Sequence, residues 1–298
     1  MCKIRLLKQA AFLFFERIVI YKVKRKRLTQ TFPWLLPVRK IQRKAAFYLG
    51  MQLDNRNYSK TLLSIVLPHT LFETNTPLYN YKTGVDMTYQ KNKVFNLKLA
   101  AKTLNGMIIK PNETFSFWQA VRHADREIPY KNGLTITDGK LTTTYGGGIC
   151  QMSNLLFWMF LHSPLVIVER HTHKVKKFPD PSIDTPKGVD ATVSEGWLDL
   201  KLLNNTRYTF QISIEFDKDK IYGSLLTDKS IDKRYEIRTE NLSYIKERNK
   251  VYEKVSIYRD EIHVDSSEYI ARDHLYDNYC EIGYELSPDI LINYDETS

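Results

Sequence analysis

Seven consecutive large apolar residues, Leu155 to Leu161, follow almost directly on the run Gly146-Gly147-Gly148-Ile149-Cys150-Gln151-Met152-Ser153-Asn154. A helix that is apolar on every side has no face to offer water, so the rest of the fold must enclose it. This segment therefore marks the centre of the molecule. The glycines ahead of it permit positive φ and close approach of backbones. A helix beginning just after them places Cys150 at its N-terminus, where unpaired N–H groups and the helix dipole favour a thiolate. Two readings of Cys150 follow: a reactive thiol, or a structural cysteine beside a tight turn.

Around this centre the chain alternates in type. Pro33 and Pro37 punctuate a link into a second helix near residues 38–50, and residues 61–90 read as irregular, broken by Pro68, Pro77 and Gly84. Val94, Leu97, Ala100, Ala101 and Leu104 have the spacing of an amphipathic helix over 93–105, with Gly106 as its C-terminal stop. Phe117 and Trp118 read as core. The Thr-rich stretch 130–145, with Asn132-Gly133 and Asp138-Gly139 as turn signals, predicts a hairpin. Residues 165–175 predict one strand that puts Glu169, His171 and His173 on a shared face. Further alternation at Leu198, Leu200 and Leu202, and at Phe210, Ile212, Ile214 and Phe216, predicts antiparallel strands. The expected fold class is α+β: a central buried helix on an antiparallel sheet, N-terminal helices, and a small β-rich C-terminal section. The expected domains are a basic helical segment (1–60), a core (61–228) and the C-terminal section (229–298).

The net charge of +10 is concentrated at the front. Residues 1–44 hold thirteen basic residues and one acid, a net +12, while the other 254 residues sum to −2. Interleaved with Phe12, Phe14, Phe15 and Ile18, that charge suits an anionic membrane surface. The alternative is a solvated helix with no partner. No fold motif supports nucleic-acid binding. The apolar run Ala10–Phe15 is too short for a signal peptide, and no stretch reaches the ~18 apolar residues of a membrane span. Cys2, Cys150 and Cys280 form neither a disulfide framework nor a CxxC knuckle. The expectation is a cytoplasmic protein, peripheral at the inner face of the membrane if the front end engages it.

In chain order, Cys150 on a helix start, His171 or His173 on a following strand, and Asp190 further on form the order of a thiol triad. The nucleophile lies on a helix, the base on a strand, and the residue that orients the base after it. Catalytic candidates are thus Cys150, His173, His171 and Asp190. Gly147, Gly148, Gln151, Ser153 and Asn154 are candidates for binding substrate or an oxyanion. The reaction class would be amide hydrolysis or acyl transfer. Asp190 has an alternative reading as a cap at a turn, and each histidine as a satisfied core imidazole. A zinc site of Cys150, His171, His173 and Glu169 competes, but no second cysteine supports it; no metal or cofactor is expected.

Three segments carry a resemblance to a known family: Lys93–Gly106 with Asn112–Trp118, Gly146–Leu156, and Gly188–Val193. They resemble the VanW family, over a span from about Arg25 to the C-terminus. The resemblance implies a link to glycopeptide resistance and to peptidoglycan precursors, with a wall precursor or peptide as ligand. It implies no reaction and no catalytic residues. Three functions follow as expectations: a thiol-dependent amidase or acyl transferase, a non-catalytic module that binds a wall precursor, glycopeptide or partner protein, and an adaptor at the membrane surface.

Overall fold

The computed structural model describes residues 32–81, 84–137, 140–178 and 185–294. The basic stretch 1–31, and with it most of the expected membrane contact, lies outside the described residues. Two compact units divide the chain, Met1–Ala45 and Ala46–Ser298. Four α-helices are described: α1 (Leu36–Leu53), α2 (Met87–Leu104), α3 (Phe117–Val121) and α4 (Cys150–Leu161). None of the described helices is long and apolar enough to cross a membrane.

The strands form three sheets and a separate hairpin. The first sheet runs β1 (Asn57–Tyr58), β4 (Glu113–Ser116), β9 (Lys201–Leu203), β7 (Val166–Glu169). The second runs β2 (His69–Pro77), β11 (Lys220–Thr227), β10 (Phe210–Phe216), β3 (Ile108–Ile109), antiparallel throughout. The third runs β15 (Ile292–Tyr294), β12 (Lys233–Glu247), β13 (Lys250–His263), β14 (Tyr269–Ile282), β8 (Val175–Lys176). The hairpin is β5 (Asn132–Thr137) with β6 (Lys140–Tyr145). The fold is α+β.

The apolar segment Leu155–Leu161 lies in the core of Ala46–Ser298. Met152, Leu156, Phe157, Met159 and Phe160 in α4 are fully buried. Each buried side chain of this size contributes roughly 1.5–3 kcal/mol of transfer free energy. Elements surround the helix. Phe160 meets Phe115 of β4 with ring centroids 5.0 Å apart, and Phe157 meets Tyr276 of β14 at 6.0 Å. Gly223 in β11 lies so close that an added Cβ would come 2.4 Å from the Met159 sulfur. A side chain there would push the helix off the sheet.

Several local expectations meet corrections. Helix α2 starts at Met87 instead of 93, because Asp86 caps it: its carboxylate accepts from the Thr88 N–H at 2.8 Å. Residues 61–90 include a nine-residue strand, β2, whose polar sequence hid it; backbone pairing to β11 holds it there. Asn132-Gly133 is strand, not turn. The single strand expected at 165–175 is two short ones in different sheets, β7 and β8, with irregular backbone between Arg170 and Lys174. The hairpin, the helix stop at Gly106 (φ +81°) and the burial of Phe117 and Trp118 are as read from the sequence.

Candidate functional site

The geometry begins with the glycines. Gly133 in β5 and Gly147 cross so tightly that a Cβ on Gly133 would lie 2.2 Å from the Gly147 carbonyl oxygen, and the reverse contact is 2.1 Å. Gly146 and Gly148 have φ of +71° and +89°, the left-handed region open to glycine. Buried Asn96 of α2 ties the crossing together. Its Nδ2 donates to the carbonyls of Lys131 (2.9 Å) and Gly147 (3.0 Å), and its Oδ1 accepts from Lys131 N–H (2.8 Å). The loop so clamped delivers Cys150 as the first residue of α4.

The Cys150 sulfur lies 3.6 Å from Thr192 Oγ1 and 3.6 Å from the Val193 carbonyl oxygen, and the His173 ring is near enough for each to shift the other's titration. His173 in turn meets buried Asp190: Nδ1 lies 2.8 Å from Oδ1, and the His173 N–H donates to Oδ2 at 2.6 Å. The Thr172 hydroxyl donates to the same carboxylate at 3.0 Å. With Nδ1 held by the carboxylate, the imidazole is fixed in orientation.

Electrostatics follow from these contacts. Burial alone would push the Cys150 thiol up, but the influence of the His173 ring, with lesser help from the Val193 carbonyl and Thr192, outweighs it and holds the thiol below its ordinary value. Desolvation works against the His173 cation, yet Asp190 and then Cys150 raise it to about 11. Burial also opposes ionisation of Asp190, and His173 overcomes it, keeping that carboxyl well below the usual carboxylate range. The two shifts, thiol down and imidazole up, are those that favour a thiolate–imidazolium pair, the reactive form of a cysteine nucleophile.

His171 goes elsewhere. Its Nε2 lies 3.0 Å from Glu169 Oε1, and the other oxygen of Glu169 pairs with Lys201 at 2.9 Å. The two histidines thus face different carboxylates. Among the described residues no group of three or more His, Cys, Asp and Glu side chains is placed to hold a metal ion. Cys150, His173, Gly148, Gln151 and Asn154 line one open pocket of about 290 Å³. Gly147 and Ser153 do not line it. Fully buried Ser153 donates to the Ala191 carbonyl at 2.6 Å, and Asn154 Oδ1 accepts from Ala191 N–H at 2.8 Å. Through this pair α4 holds the segment that carries Asp190. Gln151 Nε2 donates to the Pro77 carbonyl at 2.7 Å, fastening the end of β2.

Four residues with no role in the sequence reading also shape the site: Lys93, Asn96, Arg170 and Thr192. Arg170 supports Asp190 from behind. Its Nε donates to the Asp190 carbonyl (2.7 Å), and its Nη2 donates to the Gly188 carbonyl (3.2 Å) and to Asn278 Oδ1 (2.7 Å). The guanidinium lies 3.9 Å from the centroid of the Tyr276 ring. Asn96 is a buried amide in α2, and the backbone groups of Lys131 and Gly147 supply the partners such a group needs.

Comparison with known proteins follows the same segments. The family model described as "VanW like protein" matches residues 92–226, a span that holds Cys150, His173 and Asp190. The curated protein "Vancomycin B-type resistance protein VanW" of Enterococcus faecalis is 54% identical over 268 residues, covering 90% of this chain and 98% of that protein. The chain belongs to the VanW-like protein family. A second relative, "Uncharacterized protein YoaR" of Bacillus subtilis, is 40% identical over 114 residues, 38% of this chain and 36% of that protein. No solved structure matches significantly. Tyr276 and Asn278, which brace Arg170, lie beyond the span of the family model.

Proposed function

We propose that this VanW-like protein is a thiol-dependent amidase or acyl transferase that acts on a peptide or precursor of the cell wall and contributes to glycopeptide resistance. One observation carries the chemistry: Cys150 and His173 line one pocket and shift each other's titration, and the Asp190 carboxylate is hydrogen-bonded to the His173 ring from behind. The name borne by the Enterococcus relative supplies the biological setting.

In this reading the thiolate attacks the amide carbonyl carbon and a C–S bond forms. The imidazolium then protonates the departing amine as the C–N bond breaks, leaving a thioester. Water or a second amine attacks that thioester, the imidazole takes the incoming proton, and the thiolate leaves. Asp190 holds the ring in place and balances its charge throughout.

The rival reading is a binding module that uses the same pocket without chemistry. Glycopeptide susceptibility of cells carrying Cys150→Ser, His173→Ala and Asp190→Asn decides between them, with protein levels matched to wild type. Loss of resistance in all three supports the enzyme. Full resistance from a normally accumulated Cys150→Ser chain would overturn it.

A further inference from the structure

The pocket contains one cation whose purpose the triad does not explain. Lys93 sits in α2 and lines the same pocket as Cys150 and His173. Its stem packs against the glycine loop: a Cβ added to Gly148 would lie 2.3 Å from Lys93 Cγ. The lysine is thus anchored two residues ahead of the nucleophile. Among the described residues that line the pocket, Lys93 and His173 are the basic ones, and none is an aspartate or glutamate. The remainder are amides, hydroxyls and apolar groups such as Leu134, Ile136, Leu155 and Trp158.

No carboxylate among the described residues pairs with Lys93, and burial without compensation pushes its ammonium down to about 8. An ammonium held in such a place is costly unless an anion joins it. Here the lysine stem is built into the wall of the site, and apart from Cys150 and His173 the described pocket lining carries no carboxylic acid and no further thiol or basic side chain to meet its charge. The complement of that wall is a ligand with a single negative group.

We infer that Lys93 receives a carboxylate of the substrate, so that the pocket selects acyl or peptide compounds carrying a free carboxylate next to the amide that Cys150 attacks. This rests on the thiol-enzyme reading and narrows its substrate class. Lys93 is a specificity residue in this assignment: it binds substrate and takes no part in proton transfer.

Two alkylating reagents of nearly equal shape test it on the full chain: iodoacetate, which carries a carboxylate, and neutral iodoacetamide. Cys150 modification is followed by peptide mass at neutral pH in wild type, Lys93→Met and Lys93→Arg. The expected result is a fall of about tenfold in the iodoacetate rate for Lys93→Met, with the iodoacetamide rate little changed and the Arg variant close to wild type. An equal fall with both reagents would mean that Lys93 acts on the thiolate, and would overturn the assignment; so would no fall with either. Slow reaction of wild-type Cys150 with both reagents would instead sink the thiol-enzyme reading itself. Should Lys93→Met fail to fold, wild type decides: N-acetylglycine must slow iodoacetamide at concentrations where N-acetylglycinamide does not, and equal protection overturns the assignment.

Discussion

At the scale of single residues, the site depends on a sulfur whose charge is set by one ring. The imidazole of His173 holds the Cys150 thiol below its ordinary value against the opposing effect of burial. Alkylation of Cys150 by iodoacetamide should therefore stay fast below pH ~8.5, where an ordinary thiol is mostly protonated. In His173→Ala burial acts unopposed by the ring, so the alkylation profile should move to higher pH; coincident profiles would show that the ring does not control the thiol. Gly148 makes a second residue-scale case. Its φ of +89° and its contact with the Lys93 stem leave no room for a methyl group. Gly148→Ala should cost roughly 1–3 kcal/mol in denaturant unfolding, and it should slow alkylation, because the same loop delivers Cys150.

At the scale of elements, the site is assembled by pieces far apart in the chain. Helix α4 supplies the sulfur and, through Ser153 and Asn154, grips the segment behind Asp190. Helix α2 clamps the glycine loop through Asn96. Strand β14 braces the far side, since Asn278 and Tyr276 hold the Arg170 guanidinium that bonds the Asp190 carbonyl. Asn278→Ala should thus do more than remove one buried hydrogen bond worth about 1–2 kcal/mol. It should also reduce Cys150 reactivity at neutral pH, because the backbone that positions Asp190 loses a support. A loss of stability with unchanged alkylation kinetics would limit β14 to a structural role. The amphipathic spacing of α2 and the all-round apolarity of α4 made both helices legible in the sequence. The bracing by β14 was not, because no local pattern joins Arg170 to a residue over a hundred positions away.

At the scale of the molecule, the buried charge pair couples folding to pH. His173 titrates well above its ordinary value in the folded chain, so its contribution to stability is complete below the unfolded value of ~6.5 and is lost as pH rises toward the folded one. Asp190 is depressed when folded, so its contribution is present above ~3.9 and is lost as pH falls further. Between those limits the pair stabilises most. In a Cys150→Ala background, which removes the thiol from the titration, the Tm difference between chains with and without His173→Ala should be largest near pH 5 and shrink toward pH 10. A difference independent of pH would show that the pair contributes no linked stability.

The sequence by itself determined what is local: a helix apolar all round that had to be central, a glycine run that had to turn sharply, and a cysteine at the boundary between them. It also placed a histidine and an aspartate in triad order but left His171 and His173 equivalent, because a strand of period two would give both the same face. Tertiary structure broke that tie. The backbone leaves β7 after Glu169, and His171 turns to Glu169 while His173 reaches Asp190 and shares the pocket with Cys150. The assignment of β2, the orphan cation at Lys93 and the support of Asp190 by Arg170 were likewise decided there. Each depends on groups brought together by chain crossings, and sequence periodicity carries information only about neighbours along one element.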